Sequence, residues 1–299
     1  MTHTIALRPS GSFSLAASVR FLEGFAPAEY AGGSDDTALR LAFPVEGGWE
    51  PVGVVVRQRA SGAIVGRVEG DAPVPSVRRQ VARILSLDVD GAGFAAVCER
   101  DPIAGRLQAA YPGLRPVGFN SPYEAAAWAI IGQRLRIAQA ANVKARLAEV
   151  HGTPFTLDGS TVFAFPAPDV LLRLDRIEGL NETKVERLHG VARAALDGVL
   201  DGDRLRSVSA EEAFASLEQI PGIGPFSSSL ILIRGAGAPD VFPTVERRLH
   251  DSMTQLYGLP RVDVDELATI AERWSPFRSW IALLIRTDRE DHTREIAGH

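Results

Sequence analysis

The first 75 residues alternate between short apolar runs and turn residues, a pattern typical of a small sheet. Two of these runs are rich in Val and Ile and are separated by Ser61-Gly62, which favours a turn. Phe13–Phe25 has apolar residues at helical spacing instead, so it predicts a helix. We therefore expect an antiparallel sheet with one or two helices. Its predicted strands are Thr4–Leu7, Ala38–Phe43, Trp49–Arg57 and Ala63–Glu69.

Beyond Pro75 the apolar positions take helical spacing, and the chain is predicted to be almost entirely α-helical. Ser209 followed by Glu212 three positions later is a capping box, which predicts a helix running to about Gln219. The other predicted helices are Val77–Leu87, Phe94–Arg100, Ile103–Ala110, Pro122–Gln133, Ile137–Val150, Lys184–Leu196, Leu267–Arg273 and Arg278–Arg286.

This change of pattern predicts an α+β fold with a small antiparallel-sheet domain in residues 1–75. Residues 76–120 are predicted to be linking helices that pack on the core. Residues 121–299 are predicted to form the helical core, with a helical hairpin at 217–230 and closing C-terminal helices. A chain of 299 residues is long enough for two or three such domains.

The composition is that of a globular protein, with 45% hydrophobic and 23% charged residues. No apolar run approaches the roughly 20 residues needed to span a bilayer. The segment Met1–Thr4 lacks the basic-then-apolar order of a signal peptide, so we expect a cytoplasmic protein without a membrane partner. Cys98 is the single cysteine, which excludes intramolecular disulfides and cysteine-rich metal sites. The six histidines show no ligand spacing, and we assign them no metal role.

The net charge of −5 argues mildly against nucleic acid, because Lys and Arg usually contact phosphates. A protein that holds phosphates with backbone N–H groups at a helix N-terminus needs little positive charge, however. The charge alone therefore excludes neither class of partner.

The segment Pro221-Gly222-Ile223-Gly224 carries the strongest functional signal. A helix ends before it, and a new apolar helix starts near Phe226. The two glycines allow positive φ and close approach of the backbone to a ligand, while Ile223 can plug the space between the helices. The free N–H groups around Gly224 would then form an anion site suited to DNA phosphate. The alternative is a glycine-rich turn between two core helices.

This hairpin, together with the segments around it, resembles the helix-hairpin-helix DNA glycosylase superfamily, in particular its 3-methyladenine branch. The resemblance is good over roughly residues 120–286 and looser in the N-terminal domain. It predicts that the helical region is a helix-hairpin-helix glycosylase core. The matching segments are Ala127–Gln133, similar to the helix that carries the DNA wedge, Gly179–Leu188, Ile220–Phe226, Asp240–Pro243 and the closing Ala271–Trp280.

The resemblance implies a base-excision-repair activity on duplex DNA that contains damaged bases. Such enzymes flip the damaged base into a cleft, which costs about a few kcal/mol of free energy. A carboxylate then stabilises the positive charge that develops on the sugar as the glycosidic bond breaks. An alkylated purine is already a good leaving group, so this chemistry needs no cofactor. The resemblance further implies a monomer and DNA as its partner.

The catalytic carboxylate implied by the resemblance is an Asp, and the matching position here holds Glu246, 20 positions after Phe226. The extra methylene would move the carboxylate by about 1 Å, which can reduce a rate on the order of 100-fold. The alternative is structural: Thr244 caps a helix whose first turn contains Glu246. Asp240 is a less favoured catalytic candidate, because it precedes Phe242-Pro243 in the connecting loop.

The remaining site assignments follow the same resemblance. Phe226 stands where bifunctional relatives carry a Schiff-base Lys, so a lyase step is not expected; it either stacks on the base or packs in the core. Arg286 stands where a relative has a pocket Trp, which predicts a more polar base pocket. Gln133 and Arg134 lie where the family inserts its wedge, with a solvated surface Arg as the alternative.

Several further residues have two interpretations. Trp128 is assigned to the base pocket, although it lies, like Trp274 and Trp280, in an apolar helical pattern typical of core. Basic residues along one helical pair are either phosphate contacts or solvated charges: Arg134, Arg136, Lys144 and Arg146. For the whole chain, the alternative to a glycosylase is a catalytically weak or inactive protein that binds damaged DNA on the same scaffold.

Overall fold

The predicted N-terminal sheet is present in the computed structural model, which describes residues 2–23 and 38–293. Strands β1 (Thr2–Leu7), β2 (Ala38–Pro44), β3 (Pro51–Gln58) and β4 (Ile64–Glu69) pair antiparallel in the order β1-β4-β3-β2. The register brings Val54 opposite Val68, and both are buried beneath the helices. The helix predicted for Phe13–Phe25 is α1 (Leu15–Glu23), and the end predicted at Phe25 lies outside the described residues.

Helix α2 (Val74–Ile84) packs on the same sheet and begins three residues before the predicted start at Val77. Pro75 lies in its first turn, where the missing N–H of a proline has no intrahelical partner to lose. The helix can therefore include the proline that the sequence pattern placed outside it. Its buried face joins α1 and the sheet in one apolar cluster.

A two-stranded hairpin, β5 (Thr153–Leu157) and β6 (Ser160–Ala164), was not predicted and is an exception in the mostly helical chain beyond residue 75. Its turn residues Asp158 and Gly159 both have positive φ, of 48° and 79°, as a type I′ turn requires. The β5–β6 hairpin packs on the N-terminal sheet, where Phe155 occupies the space that a side chain at Gly53 would need. Asp158 accepts hydrogen bonds from Arg57 and Arg67 of that sheet, at 3.0 and 2.7 Å.

The predicted helices are present with shifted ends, and the predicted capping box forms between Ser209 and Glu212. Two short helices, Pro168–Leu171 and Gly202–Ser207, were not predicted, and a helix at Arg247–Leu256 was considered only in the structural alternative for Glu246. Past α2, the described residues form α3 (Phe94–Cys98), α4 (Pro102–Ala110), α5 (Pro122–Gly132), α6 (Ile137–His151), α7 (Pro168–Leu171), α8 (Glu182–Leu196), α9 (Gly202–Ser207), α10 (Ala210–Leu217), α11 (Pro225–Leu230) with a π-helical turn (Ile231–Gly235), α12 (Arg247–Leu256), α13 (Val264–Ala271) with a 3-10 turn (Glu272–Trp274), and α14 (Arg278–Thr293).

These helices bury two separate apolar clusters. One joins α5, α6, α8 and α10 around residues such as Ile130 and Leu188. The other joins α3, α4 and α12 to α14 around Trp274 and Trp280, which confirms that these two tryptophans are core. The predicted domain boundaries at residues 75 and 120 stay a prediction. No helix within residues 2–23 and 38–293 is long and apolar enough to cross a membrane.

Candidate functional site

A cleft of about 680 Å³ lies between the two helical clusters. One wall comes from α5 and α11, the other from α12 and α14, and α1 of the N-terminal region closes part of it. Five of the sequence-predicted site residues line this cleft, although they are spread over more than 150 positions of the chain. They are Trp128, Gln133, Phe226, Glu246 and Arg286.

The predicted hairpin connects α10 to α11 beside this cleft. Ile223 is 5% exposed and packs in the cluster around α5 and α8, which confirms its position between the helices. Gly222 has φ +90°, and a Cβ there would lie 2.7 Å from Cδ of Arg187 and 2.9 Å from Cδ1 of Ile130. Gly224 caps α11 and has open space around its Cα. The turn thus needs glycine at 222 for its conformation, whereas at 224 the backbone is uncovered.

We expect Gly222→Ala to lower the free energy of unfolding by about 1–3 kcal/mol, because it combines a positive φ with a clash. Gly224→Ser is the matched control: its φ of −116° suits any residue, and Ser is a preferred N-cap. Urea unfolding of both variants measures the difference. Equal stabilities would contradict the packing described for the hairpin.

Gln133 ties α5 to the hairpin. Its Nε2 donates to the carbonyl of Gly222 at 2.7 Å, and its Oε1 accepts from Nη1 of Arg187 at 2.7 Å. Lys184 lies on α8 together with Arg187, and its Nζ donates to the carbonyl of Ile131 in α5 at 2.7 Å. Burial, and then the neighbouring Arg187, lower the pKa of Lys184. The predicted segment Gly179–Leu188 therefore supports the hairpin indirectly, through its hydrogen bonds to Ile131 and Gln133 at the end of α5.

Arg134 follows at the tip of the α5–α6 connection. It is exposed and has φ +57°, an uncommon conformation for a residue other than glycine. The side chain of Gln133 is engaged with the hairpin, so Arg134 is the more available of the two candidates for a wedge. Their wedge role stays a prediction.

Glu246 lies at the N-cap of α12 without using its side chain as a cap. The structural alternative, a helix capped by Thr244 with Glu246 in its first turn, is wrong because the helix begins at Arg247. The Glu246 carboxylate is 31% exposed instead, and its Oε1 lies 2.6 Å from Nε of Arg286 on α14. The predicted carboxylate and the predicted polar residue of the base pocket therefore form an ion pair in the cleft wall.

Arg234 is a cleft residue that sequence reasoning missed. Its Nη2 donates to the carbonyl of Val117 at 2.8 Å, and its guanidinium lies 5.2 Å from the ring centroid of Phe21 in α1. Burial lowers the pKa of Arg234 to about 10, and attraction to Glu246 partly opposes that shift. Arg234 is hence a half-buried cation that attracts the carboxylate of Glu246. It sits in an apolar run, Ile231–Gly235, which gave no sign that a charge would face the cleft.

The structure also decides between alternatives for other residues. Phe226 is 58% exposed, so its core-packing interpretation is wrong. Trp128 is half-buried and both lines the cleft and packs on the α5 cluster. Asp240 accepts hydrogen bonds from Ser275 Oγ at 2.9 Å and from the backbone N–H of Arg278 at 3.3 Å, so it anchors the start of α14.

Lys144 is buried and pairs with Glu124, with 2.7 Å between Nζ and Oε1, and this contradicts its interpretation as a phosphate contact. Arg146 is exposed and pairs with Glu149 and Glu178. Arg136 is exposed at the N-cap of α6.

Solved structures with the same architecture define the class of fold. A 3-methyladenine DNA glycosylase from Archaeoglobus fulgidus superimposes with a TM-score of 0.77, covering 98% of this chain and 99% of that one at 22% identity. An 8-oxoguanine glycosylase/lyase from Clostridium acetobutylicum gives a TM-score of 0.63, with 94% of each chain covered at 17% identity. The chain thus has the fold of the helix-hairpin-helix DNA glycosylases.

Relatives found by sequence comparison narrow the class of protein to its 3-methyladenine branch. The chain is 34% identical over 185 residues to DNA-3-methyladenine glycosylase 2 of Escherichia coli (strain K12), and 27% identical over 201 residues to DNA-3-methyladenine glycosylase of Bacillus subtilis (strain 168). The matches cover 60% and 66% of this chain, and 62% and 66% of those relatives, less than two thirds of their length. No protein-family model matches the chain. The predicted resemblance to the superfamily and its 3-methyladenine branch is confirmed.

Proposed function

We propose that this protein is a monofunctional DNA glycosylase that flips alkylated purines of the 3-methyladenine type out of duplex DNA and releases them. The observation that carries the proposal is a half-buried carboxylate, Glu246, in the wall of a cleft beside the hairpin. The relatives named 3-methyladenine glycosylases support this substrate class. The protein would act as a monomer.

The hairpin would hold the DNA. The uncovered backbone around Gly224 and the first turn of the helical segment that follows offer N–H groups to a phosphate, without requiring a positive net charge. The exposed Arg134, which follows Gln133 in the α5–α6 connection, would enter the gap left by the flipped base. Contacts between backbone N–H groups and phosphates fix the register of the protein on the duplex and carry no sequence information.

The cleft would receive the flipped base. Phe226 and Trp128 offer aromatic surface, and stacking on an aromatic ring contributes about 1–3 kcal/mol per base. The Glu246 carboxylate would stabilise the positive charge on the sugar as the glycosidic bond breaks, and water would complete the hydrolysis. Phe226 holds the place of a lysine nucleophile, so strand cleavage by a Schiff base is not expected.

Purified protein incubated with a duplex that contains one 3-methyladenine-type lesion tests the proposal. We expect time-dependent release of the free base, an intact strand until alkali is added, and salt-dependent binding of the duplex. An undamaged duplex of the same sequence is the control. Tight binding to an abasic-site analogue without any base release would overturn the proposal in favour of a damaged-DNA-binding protein.

A further inference from the structure

Glu246 and Arg286 depart together from the pattern of the family, and they contact each other. A glutamate stands where the resemblance implies an aspartate, and an arginine stands where it implies a tryptophan. The two residues are 40 positions apart, yet Nε of Arg286 lies 2.6 Å from Oε1 of Glu246. Because one contact joins both departures, they are best explained as one change.

A glutamate at this position needs a partner to fix it. It has one more rotatable bond than aspartate, and its carboxylate can therefore sweep through a wider space. Glu246 makes no cap hydrogen bond to its own helix that would restrict it. A displacement of about 1 Å from the reacting sugar can reduce a rate about 100-fold. The longer side chain is therefore useful only where another group holds it.

Arg286 is placed where it can hold the Glu246 carboxylate. The Arg286 side chain is 14% exposed and comes from α14, the helix that packs against α12, whose N-cap residue is Glu246. An ion pair this close, with the arginine mostly shielded from water, is only weakly screened by solvent and salt. The close contact of Arg286 is with Oε1, and Oε2 of Glu246 accepts no hydrogen bond from the described residues, which leaves it for the substrate.

We infer that Arg286 is a positioning residue that fixes the Glu246 carboxylate through this ion pair, and that the Glu246–Arg286 pair replaces the aspartate–tryptophan combination of the family. The inference rests on the proposed function. Aspartate at position 246 should therefore withdraw the carboxylate from Arg286 and lower the rate of base release, although aspartate is the residue that the family uses.

The test measures single-turnover base release and, separately, affinity for a duplex with an abasic-site analogue. Arg286→Gln and Glu246→Asp should each reduce the rate of base release about tenfold to 100-fold, with affinity changed less than threefold. Arg286→Lys should restore part of the rate, because it returns a cation to the carboxylate. In a Glu246→Gln background, Arg286→Gln should change the rate less than twofold, since no carboxylate remains to be positioned.

Arg173→Gln, which breaks the exposed 2.9 Å pair with Asp169 away from the cleft, is the matched control and should leave the rate unchanged. Thermal unfolding of each variant identifies loss of rate that comes from loss of fold. A rate within threefold of wild type for Arg286→Gln, or a Glu246→Asp variant as fast as wild type, would overturn the inference while the proposed function stands. Loss of duplex affinity in Arg286→Gln would overturn it in favour of a DNA contact. A wild type without base release would overturn both.

Discussion

Glu246→Gln is expected to reduce the rate of base release by about 100-fold or more, the range found when one preorganised electrostatic group is removed from an active site. Glutamine keeps the length and shape of the side chain and removes only its charge. The sugar cation then loses the carboxylate that stabilises it, while the partly buried guanidinium of Arg286 loses its ion-pair partner. The hairpin and the rest of the cleft wall are untouched, so duplex affinity should stay within about threefold.

Single-turnover release of a 3-methyladenine-type base, measured beside affinity for an abasic-site analogue, separates these two effects. Glu272→Gln is the matched control, because its side chain is 66% exposed and, among the residues that the structure describes, pairs with Arg278. A Glu246→Gln variant that keeps more than about half of the wild-type rate would show that another group supplies the charge.

Lys144→Met is expected to lower the free energy of unfolding by about 3–5 kcal/mol, the usual effect of removing one partner of a buried ion pair. The side chains of Lys144 and Glu124 are only 9% and 6% exposed, and their charged atoms are 2.7 Å apart. Asn120 also donates to the other oxygen of Glu124, at 2.8 Å. Without the lysine, the Glu124 carboxylate would keep its hydrogen bond from the Asn120 amide but would lose the positive charge of Lys144.

Urea unfolding measures this effect. The double variant Lys144→Met with Glu124→Leu should recover much of the loss, because no unpaired charge remains. Arg146→Met, at a 61% exposed side chain of the same helix, should change stability by less than about 0.5 kcal/mol. Duplex affinity should be unaffected in the folded Lys144→Met variant. A stable variant with weakened, less salt-dependent DNA binding would instead support the phosphate contact.

The elements of the fold could be predicted where the signal is local. The Ser209 capping box, the glycine-rich turn before α11 and the Val-rich strands each depend on residues within a few positions of one another. The hairpin at residues 153–164 also had a local signal, Asp158-Gly159 between alternating residues, but it lay inside a region whose other segments are helical. Its stability comes from packing on the distant sheet at Gly53, which local pattern does not report.

The site could be predicted only in part, for a related reason. The family resemblance, matched along the chain from Phe226, identified Glu246, because both residues follow the hairpin in sequence. The contact of Glu246 with Arg286 depends on how α12 packs against α14, and the position of Arg234 depends on a π-helical turn in an apolar run. The burial of Lys144 is equally a tertiary property: its spacing along α6 is that of a surface charge, and Glu124 on α5 makes it a core ion pair.

The most direct test of the central claim, that Glu246 stabilises a positive charge on the sugar, compares two abasic-site analogues in the same duplex. One carries a neutral tetrahydrofuran ring and the other a cationic pyrrolidine ring, which resembles the charged transition state. We predict that the wild type binds the cationic analogue at least about tenfold more tightly than the neutral one, and that Glu246→Gln removes this preference. Equal affinity of the wild type for both analogues would contradict the claim.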